Sequence, residues 1–334
     1  MSRLKFAIIG CGKIAPRHAA EIKKHGELIA VCDIIPAKAD QLGSEFGANA
    51  FYHPDELFKS NSTIDVVAVC TPNGLHTEHS IAALRHGAHV LCEKPLSISA
   101  VDGQRMIEAA EKTGKKLFVV KSTRYNPAIA ALKKALDENR LGKLYSFQLN
   151  CFWNRPPAYY ENSWRGTDLD GGTLFTQFSH YIDALLWLLG DIHQVKGFRK
   201  NLAHEGSILS EDSGIVALEM QSGLIGGLNW SVNTYKENME VSLTLIAEKA
   251  TLELGGGYMN EVKYQASGDF VLDIPKKGSA NDYGFYKGSM SNHDQVYENL
   301  LQALANEQHP FISAGDGLKT VEAIERIYNS VSLS

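Results

Sequence analysis

The sequence predicts an α/β protein with two domains, an N-terminal parallel sheet and a C-terminal α/β domain with a mostly antiparallel sheet. Three observations predict it. Apolar strand-like runs alternate with amphipathic helical stretches over the first 121 residues. A glycine turn joins the first strand to the first helix. Beyond residue 124 the strand-like runs lengthen, and several are joined by only two or three residues, as in an antiparallel meander.

In chain order, residues 5–9 (KFAII) form a short apolar strand that ends in glycine, and an amphipathic helix spans about 14–25. A second strand covers 28–32 (LIAVC), and Pro36 opens the next helix, where its missing N–H costs nothing. A weak strand lies near 50–52. Residues 64–70 (IDVVAVC) are nearly all apolar, as expected of a strand buried on both faces. The helix at 77–86 is stopped by Gly87, strand 88–92 follows, Ser99 and Asp102 form a capping pair, and Gly114 ends that helix before strand 117–121. Strands linked by helices of this length imply right-handed crossovers and a parallel sheet.

A boundary near 122 divides the chain into 1–122 and 123–334. Arg124-Tyr125-Asn126-Pro127 open a helix running to about 139. Strands are expected at 144–153, about 193–200, 213–220, 224–231, 240–247 and 250–254, with helices at about 174–189 and 318–331.

Composition bounds the function. The 334 residues suffice for about two domains of ordinary size. With 44% hydrophobic and 21% charged residues, a disordered, coiled-coil or collagen-like chain is excluded. A net charge of −5 provides no general attraction to nucleic acid or anionic membranes, and no apolar run reaches the ~18 residues of a membrane span. The N-terminal apolar stretch is too short for a signal peptide. Five cysteines without a C-x-x-C pair read as reduced, mostly buried thiols of a cytoplasmic protein. No zinc-binding spacing and no H-E-x-x-H are present, so no metal is expected.

The turn Gly10-Cys11-Gly12-Lys13-Ile14-Ala15 has the form G-x-G-x-x-A, the dinucleotide-binding fingerprint of a Rossmann fold. Gly10 permits the tight turn, Gly12 lets a pyrophosphate reach the amides at the helix start, and Ala15 allows close helix–strand packing. Asp33, at the end of the second strand, is placed to bind the adenine ribose hydroxyls. Its carboxylate would repel a 2′-phosphate, which favours NAD over NADP. Two further strand ends lie on the same edge of the sheet, where open α/β folds bind ligands. They carry Thr71, Pro72, Asn73 and His76 (TPNGLH) and Glu93 and Lys94 (EKP).

These three motifs, in this order, resemble the glucose–fructose oxidoreductase/inositol dehydrogenase (Gfo/Idh/MocA) family, and the resemblance covers essentially the whole chain. It implies a second domain whose sheet is open and roofs the active site. It also implies NAD(P)-dependent oxidation of a sugar or cyclitol hydroxyl, Lys94 in the active site, and a homodimer or homotetramer formed through the C-terminal sheet. His180 matches the histidine of the family signature GG-x-x-x-D-x-G-x-H-x-x-D, as do Gly171, Gly172 and Asp183. The signature's first Asp is Thr176 here, and its following Gly is Phe178.

The variant TQFSH, with VVKSTRYNP and AYYENSWRGT upstream, resembles a narrower group, bacterial UDP-N-acetyl-2-amino-2-deoxyglucuronate dehydrogenases. In that group a typical Lys-Gln-Asn-Arg stands where this chain has Lys121-Ser122-Thr123-Arg124. These enzymes oxidise the sugar C3 hydroxyl for surface polysaccharide (O-antigen) synthesis. The resemblance implies Lys121, Trp164 and Arg165 at the cofactor, and Asn126 and Gln177 at the substrate. Arg124 and Arg165 supply the fork-shaped donors that a uronate carboxylate or diphosphate needs. Tyr159, Tyr160 and Trp164 offer stacking surfaces, and His293 is a further substrate-binding candidate. Either His180 or Lys94 is the base, and Glu93 orients Lys94 or binds cofactor. The alternatives are a dehydrogenase of a free sugar or inositol and a non-catalytic NAD-sensing regulator.

Overall fold

The computed structural model describes residues 3–60, 63–272, 274, 280–282, 287–290 and 292–333, for 280–282 and 287–290 the backbone only. The chain divides into two compact units, Met1–Lys121 with His293–Val321, and Ser122–Asn292 with Glu322–Ser334. The sequence suggested a single boundary near 122, with everything after it in the second domain. The chain instead returns, and residues 293–321 fold with the N-terminal segment.

The first unit holds a six-stranded sheet of β1 (Lys5–Ile9), β2 (Glu27–Cys32), β3 (Asn49–Phe51), β4 (Val66–Val69), β5 (His89–Cys92) and β6 (Leu117–Val119) in the order β3-β2-β1-β4-β5-β6. Every neighbouring pair is parallel. The crossovers are α1 (Ala15–His25), α2 (Pro36–Phe46), α3 (Pro54–Ser60), α4 (His76–Arg85) and α5 (Ala100–Thr113). Phe6–Ile9 and Val66–Val69 are buried throughout, which explains why these central strands read as continuous apolar runs. The local signals act as expected. Pro36 opens α2, Ser99 Oγ accepts the Asp102 N–H at the start of α5, and Gly114 closes that helix with φ 65°.

The second unit contains α6 (Pro127–Asp137), β7 (Leu144–Phe152), α7 (Ser179–Leu189), β8 (Ile192–Lys200), β9 (Ser213–Met220), β10 (Ile225–Ser231), β11 (Glu240–Ala247), β12 (Ala250–Gly255) and β13 (Glu261–Ser267). A short antiparallel ribbon, β14 (Ala280–Asp282) and β15 (Lys287–Met290), follows. Strands β7–β13 form one sheet, ordered β13-β12-β11-β7-β10-β9-β8. Only the β7–β10 pair is parallel. Alternate residues of each strand, such as Phe147, Leu149 and Cys151 of β7 or Val216, Leu218 and Met220 of β9, form the core on one face.

Two late helices, α8 (His293–Ala305) and α9 (Ala314–Ser330), complete the chain. Helix α8 packs on α1, and its Tyr297 ring lies 6.2 Å from that of Phe6.

Candidate active site

The glycine turn of the first unit is built to receive a diphosphate. Gly10 has φ +94°, and a Cβ there would come within 2.6 Å of the Cys70 backbone, so no other residue fits. At Gly12 a Cβ would meet nothing within 4 Å, so the start of α1 is open beside it. The unpaired amides of a helix N-terminus carry partial positive charge. Ala15 is fully buried against the sheet, Lys13 is exposed and Ile14 half-buried.

Asp33 ties the turn to the end of β2. Its Oδ2 accepts the Cys11 N–H at 2.8 Å and its Oδ1 the Ile35 N–H at 2.9 Å. Each carboxylate oxygen keeps a lone pair for a ribose hydroxyl. An open glycine cradle at a helix N-terminus beside an anchored acid fits a dinucleotide. All five cysteines are buried and free, and burial pushes the Cys11 thiol up to about 12.

The next two strand ends interlock. Thr71 and Pro72 are half-buried and Asn73 is buried. His76, expected at the cofactor, is buried with its ring between two backbone carbonyls. Its Nδ1 lies 2.7 Å from Pro95 O and its Nε2 2.9 Å from Thr71 O. It staples the TPNGLH loop to the EKP turn, and burial pushes its basicity below the ordinary value against those bonds.

Lys94 is half-buried, and Glu93 beside it is buried. Glu93 Oε1 receives His18 Nε2 at 2.9 Å and His293 Nε2 at 3.3 Å, and Oε2 accepts the Lys94 N–H at 3.0 Å. Burial alone would raise the Glu93 pKa, but the two imidazoles outweigh it and hold the group well below the usual carboxylate range. Lys121 is buried and donates to Thr320 Oγ1 at 2.8 Å.

The second unit carries the other candidates. The sequence predicted one helix over 174–189. The structure has a π-helical turn, Leu174–Phe178, ahead of α7. Such turns are rare and recur at functional sites. The turn presents Thr176 and Gln177, and His180 follows in the first turn of α7, buried and edge-on to Tyr181. Thr176, in place of the signature Asp, bonds the carboxylate of Asp170 through its hydroxyl. An acid six residues upstream, Asp170, thus lies against the position of the signature Asp.

Gln177 Oε1 accepts from Arg155 Nε at 2.7 Å, and Gln177 Nε2 donates to the Tyr159 hydroxyl at 2.8 Å. Arg155 is fully buried and stacks on Trp153 and Tyr159. Arg165 also stacks on Tyr159, at 4.8 Å, and on Trp164, at 4.9 Å. Tyr160 packs in an apolar cluster with Tyr159 and Ile208.

Three expected substrate contacts have structural partners. Arg124 makes a two-point ion pair with Asp183, Nε to Oδ2 at 2.9 Å and Nη2 to Oδ1 at 2.8 Å. Two nitrogens of its fork therefore hold α7 rather than standing ready for a carboxylate. Asn126 caps α6 through the Ala128 N–H, and its amide donates to the carbonyls of Tyr258 and Met259. His293 belongs to the first unit, on Glu93. Lys94 likewise lies in the first unit, whereas His180, Gln177, Trp164 and Arg165 lie in the second.

Arg155, Asp170, His18 and Tyr297 were missed. Arg155 had a visible signal, an arginine before two prolines at the end of a long strand. His18 is a polar residue on the apolar stripe of α1, an exception the helical period exposes.

A parallel six-stranded sheet with this cradle and anchored acid defines a dinucleotide-binding Rossmann unit. The comparisons agree. The oxidoreductase family with an NAD-binding Rossmann fold (Gfo/Idh/MocA) matches residues 4–121, and the Gfo/Idh/MocA C-terminal domain matches 129–253. The chain belongs to this family, and it is an NAD-dependent dehydrogenase acting on a CH–OH group.

The chain is similar to the WlbA dehydrogenase of Chromobacterium violaceum, solved with NADH and UDP-GlcNAcA. The two are 33% identical with TM-score 0.88, over 99% of this chain and 94% of that one. It is also similar to the WlbA dehydrogenase of Bordetella pertussis, solved with the same two ligands, at 32% identity and TM-score 0.88 over 98% and 96%. Glucose-6-phosphate 3-dehydrogenase of Bacillus subtilis is 25% identical over 99% of this chain and 97% of its own length. Among the described residues, no helix is long and apolar enough to cross a membrane.

Proposed function

We propose that the protein oxidises the C3 hydroxyl of a UDP-linked hexuronate, UDP-N-acetylglucosaminuronate or a close relative, to the 3-keto sugar. The product would feed surface polysaccharide (O-antigen) assembly in the cytoplasm. The observation that carries this reading is the likeness, along nearly the whole chain, to two dehydrogenases solved with NADH and UDP-GlcNAcA. Within this chain, Arg165 stacked on Tyr159 and on Trp164 supports it. A guanidinium suits a carboxylate or diphosphate, and the aromatic faces suit a sugar or base. A second reading, oxidation of a sugar lacking the nucleotide, is favoured by the full-length likeness to glucose-6-phosphate 3-dehydrogenase.

Bound NAD supplies the hydride acceptor. The carbinol then loses its hydroxyl proton to the protein. His180 takes that proton, and Lys94 hydrogen-bonds the same oxygen and stabilises its developing negative charge. The reversed assignment, Lys94 as base, places the same two residues in exchanged roles. Gly10 to Ile14 and Asp33 bind the dinucleotide, with Thr71, Pro72 and Asn73 at the next strand end.

NADH absorbance over a panel of UDP-GlcNAcA, UDP-GlcNAc, glucose 6-phosphate and myo-inositol tests the substrate. Turnover on UDP-GlcNAcA at least as efficient as on the others is expected. Glucose 6-phosphate as the only good substrate establishes the second reading. Lys94→Ala and His180→Ala should each lower kcat by about 10²–10⁴-fold with NAD affinity retained. Near-normal turnover in both removes their roles.

The chain is also proposed to self-associate through the face of the large sheet opposite its core. There Phe198 pairs with Ile215, and both are exposed, as are Ile225, Ile246 and Tyr264. Phe198→Asp with Ile215→Asp should lower the mass measured by light scattering. A wild-type monomer sinks the idea.

A further inference from the structure

The cluster behind Lys94 joins three segments far apart in the chain. His18 comes from α1, the helix that starts at the glycine cradle. Glu93 ends β5. His293 and Tyr297 come from α8, in the segment that returns to this unit. All four are buried. The hydrogen bonds determine the tautomers. Glu93 accepts, so each Nε2 carries the proton. His18 Nδ1 then accepts from the Tyr297 hydroxyl at 2.8 Å. His293 Nδ1 is buried with no hydrogen-bond partner among the described residues. A buried polar atom left bare is a cost, borne here to place one more N–H on Glu93.

We propose that His293 and His18 are positioning residues, which grip the Glu93 carboxylate from α8 and α1 so that Glu93 fixes the peptide of Lys94. The proposal rests on Lys94 acting in the dehydrogenation. A carboxylate has two oxygens to fill, and here the imidazoles take one while the Lys94 N–H takes the other. The backbone from which the Lys94 side chain departs is therefore clamped to the helix that begins at the cofactor cradle. Small misplacements of a reacting group are expensive, and a shift of ~1 Å can cost 10²-fold in rate. The same three side chains offer two imidazole nitrogens and a carboxylate oxygen close enough to hold a metal ion. The spacing of each Nε2 to the shared oxygen, with the second oxygen on an amide, is that of a hydrogen-bonded carboxylate.

The test uses the full-length enzyme with its best substrate, measuring kcat, substrate KM, NAD affinity and melting temperature. His293→Leu removes the donor, and His293→Gln keeps an N–H near the Nε2 position. His293→Leu should lower kcat by about 10-fold or more with NAD affinity changed less than about 3-fold, and His293→Gln should recover most of the loss. Glu93→Gln should lower kcat likewise. A merely structural role would move affinity and melting temperature together with kcat and would not be rescued by Gln. That pattern, or full kcat in His293→Leu, overturns the proposal. Lys94→Ala in parallel separates the two failures. Unchanged turnover there removes the Lys94 role itself, whereas a loss there beside normal His293→Leu removes only the clamp. A stoichiometric transition metal in the purified protein also overturns it.

Discussion

Removal of the Asp183 carboxylate should take from the largely buried Arg124 guanidinium its two-point ion pair. Asp183 is 1% exposed and meets the Arg124 fork at two points, while the Arg124 side chain is only 12% exposed and lies 5.5 Å over the Trp187 ring. In Asp183→Ala the guanidinium loses both bonds with little water to replace them. Breaking one side of a buried pair costs about 3–5 kcal/mol. For a unit of this size, each kcal/mol lowers the melting temperature by about 2–4 °C, so a fall of roughly 6–20 °C is expected. Scanning calorimetry is the assay. The double variant Arg124→Met with Asp183→Leu supplies the control. Replacing both partners by apolar groups removes the buried charge along with its partner, and most of the lost stability should return. A melting temperature for Asp183→Ala within about 2 °C of the parent would refute the reasoning.

Other outcomes follow from the same geometry. Gly12→Val adds bulk into open space, so it should leave the fold intact and weaken NAD binding by more than about 10-fold (about 1.4 kcal/mol), read by NADH fluorescence titration. Gly10→Ala forces a Cβ into the Cys70 backbone at a positive φ, so it should lower thermal stability before any effect on cofactor can be measured. The His204–Asp212 pair sets a pH window. Burial alone would raise the Asp212 pKa, but bonds from His204 and from the Ala203 and Leu202 amides bring it down to about 2. Its contribution is therefore complete above the unfolded value of 3.8 and disappears as pH falls toward about 2. His204 is raised by that bond, so its own contribution is full below 6.5 and is lost as pH rises through its folded pKa. Urea titrations at stepped pH should show both losses, and Asp212→Asn should abolish the acidic one.

The parallel sheet was legible because its strands are buried on both faces, and the turn residues between them have few alternatives. The cradle was legible for the same reason, since Gly10 and Gly12 are required by backbone geometry rather than by partners. What escaped the sequence was set by side chains meeting across long separations. Nothing near Arg124 announces that Asp183, 59 residues on, will take its fork. His293 read as a substrate-binding candidate from its place near the start of a late helix, and its contact with Glu93, 200 residues earlier, left no trace in the local sequence. The π-helical turn was invisible because its residues, LFTQF, suit an α-helix equally well. Thr176 read as the loss of an acid. The carboxylate that its hydroxyl meets, Asp170, lies outside the signature's spacing.

The late return of residues 293–321 has a consequence for biosynthesis. When the ribosome has released the first 121 residues, the sheet strands and α1 exist, but Tyr297 and His293 have not been translated. His18 and Glu93 must wait, with their polar atoms wet, until residues 293–297 have emerged. The N-terminal segment therefore cannot mature as an independent first-folded module, in contrast to the usual vectorial order. Its completion waits for residues 293–321, so a chain stalled or cleaved before residue 293 is left with an unfinished cofactor unit.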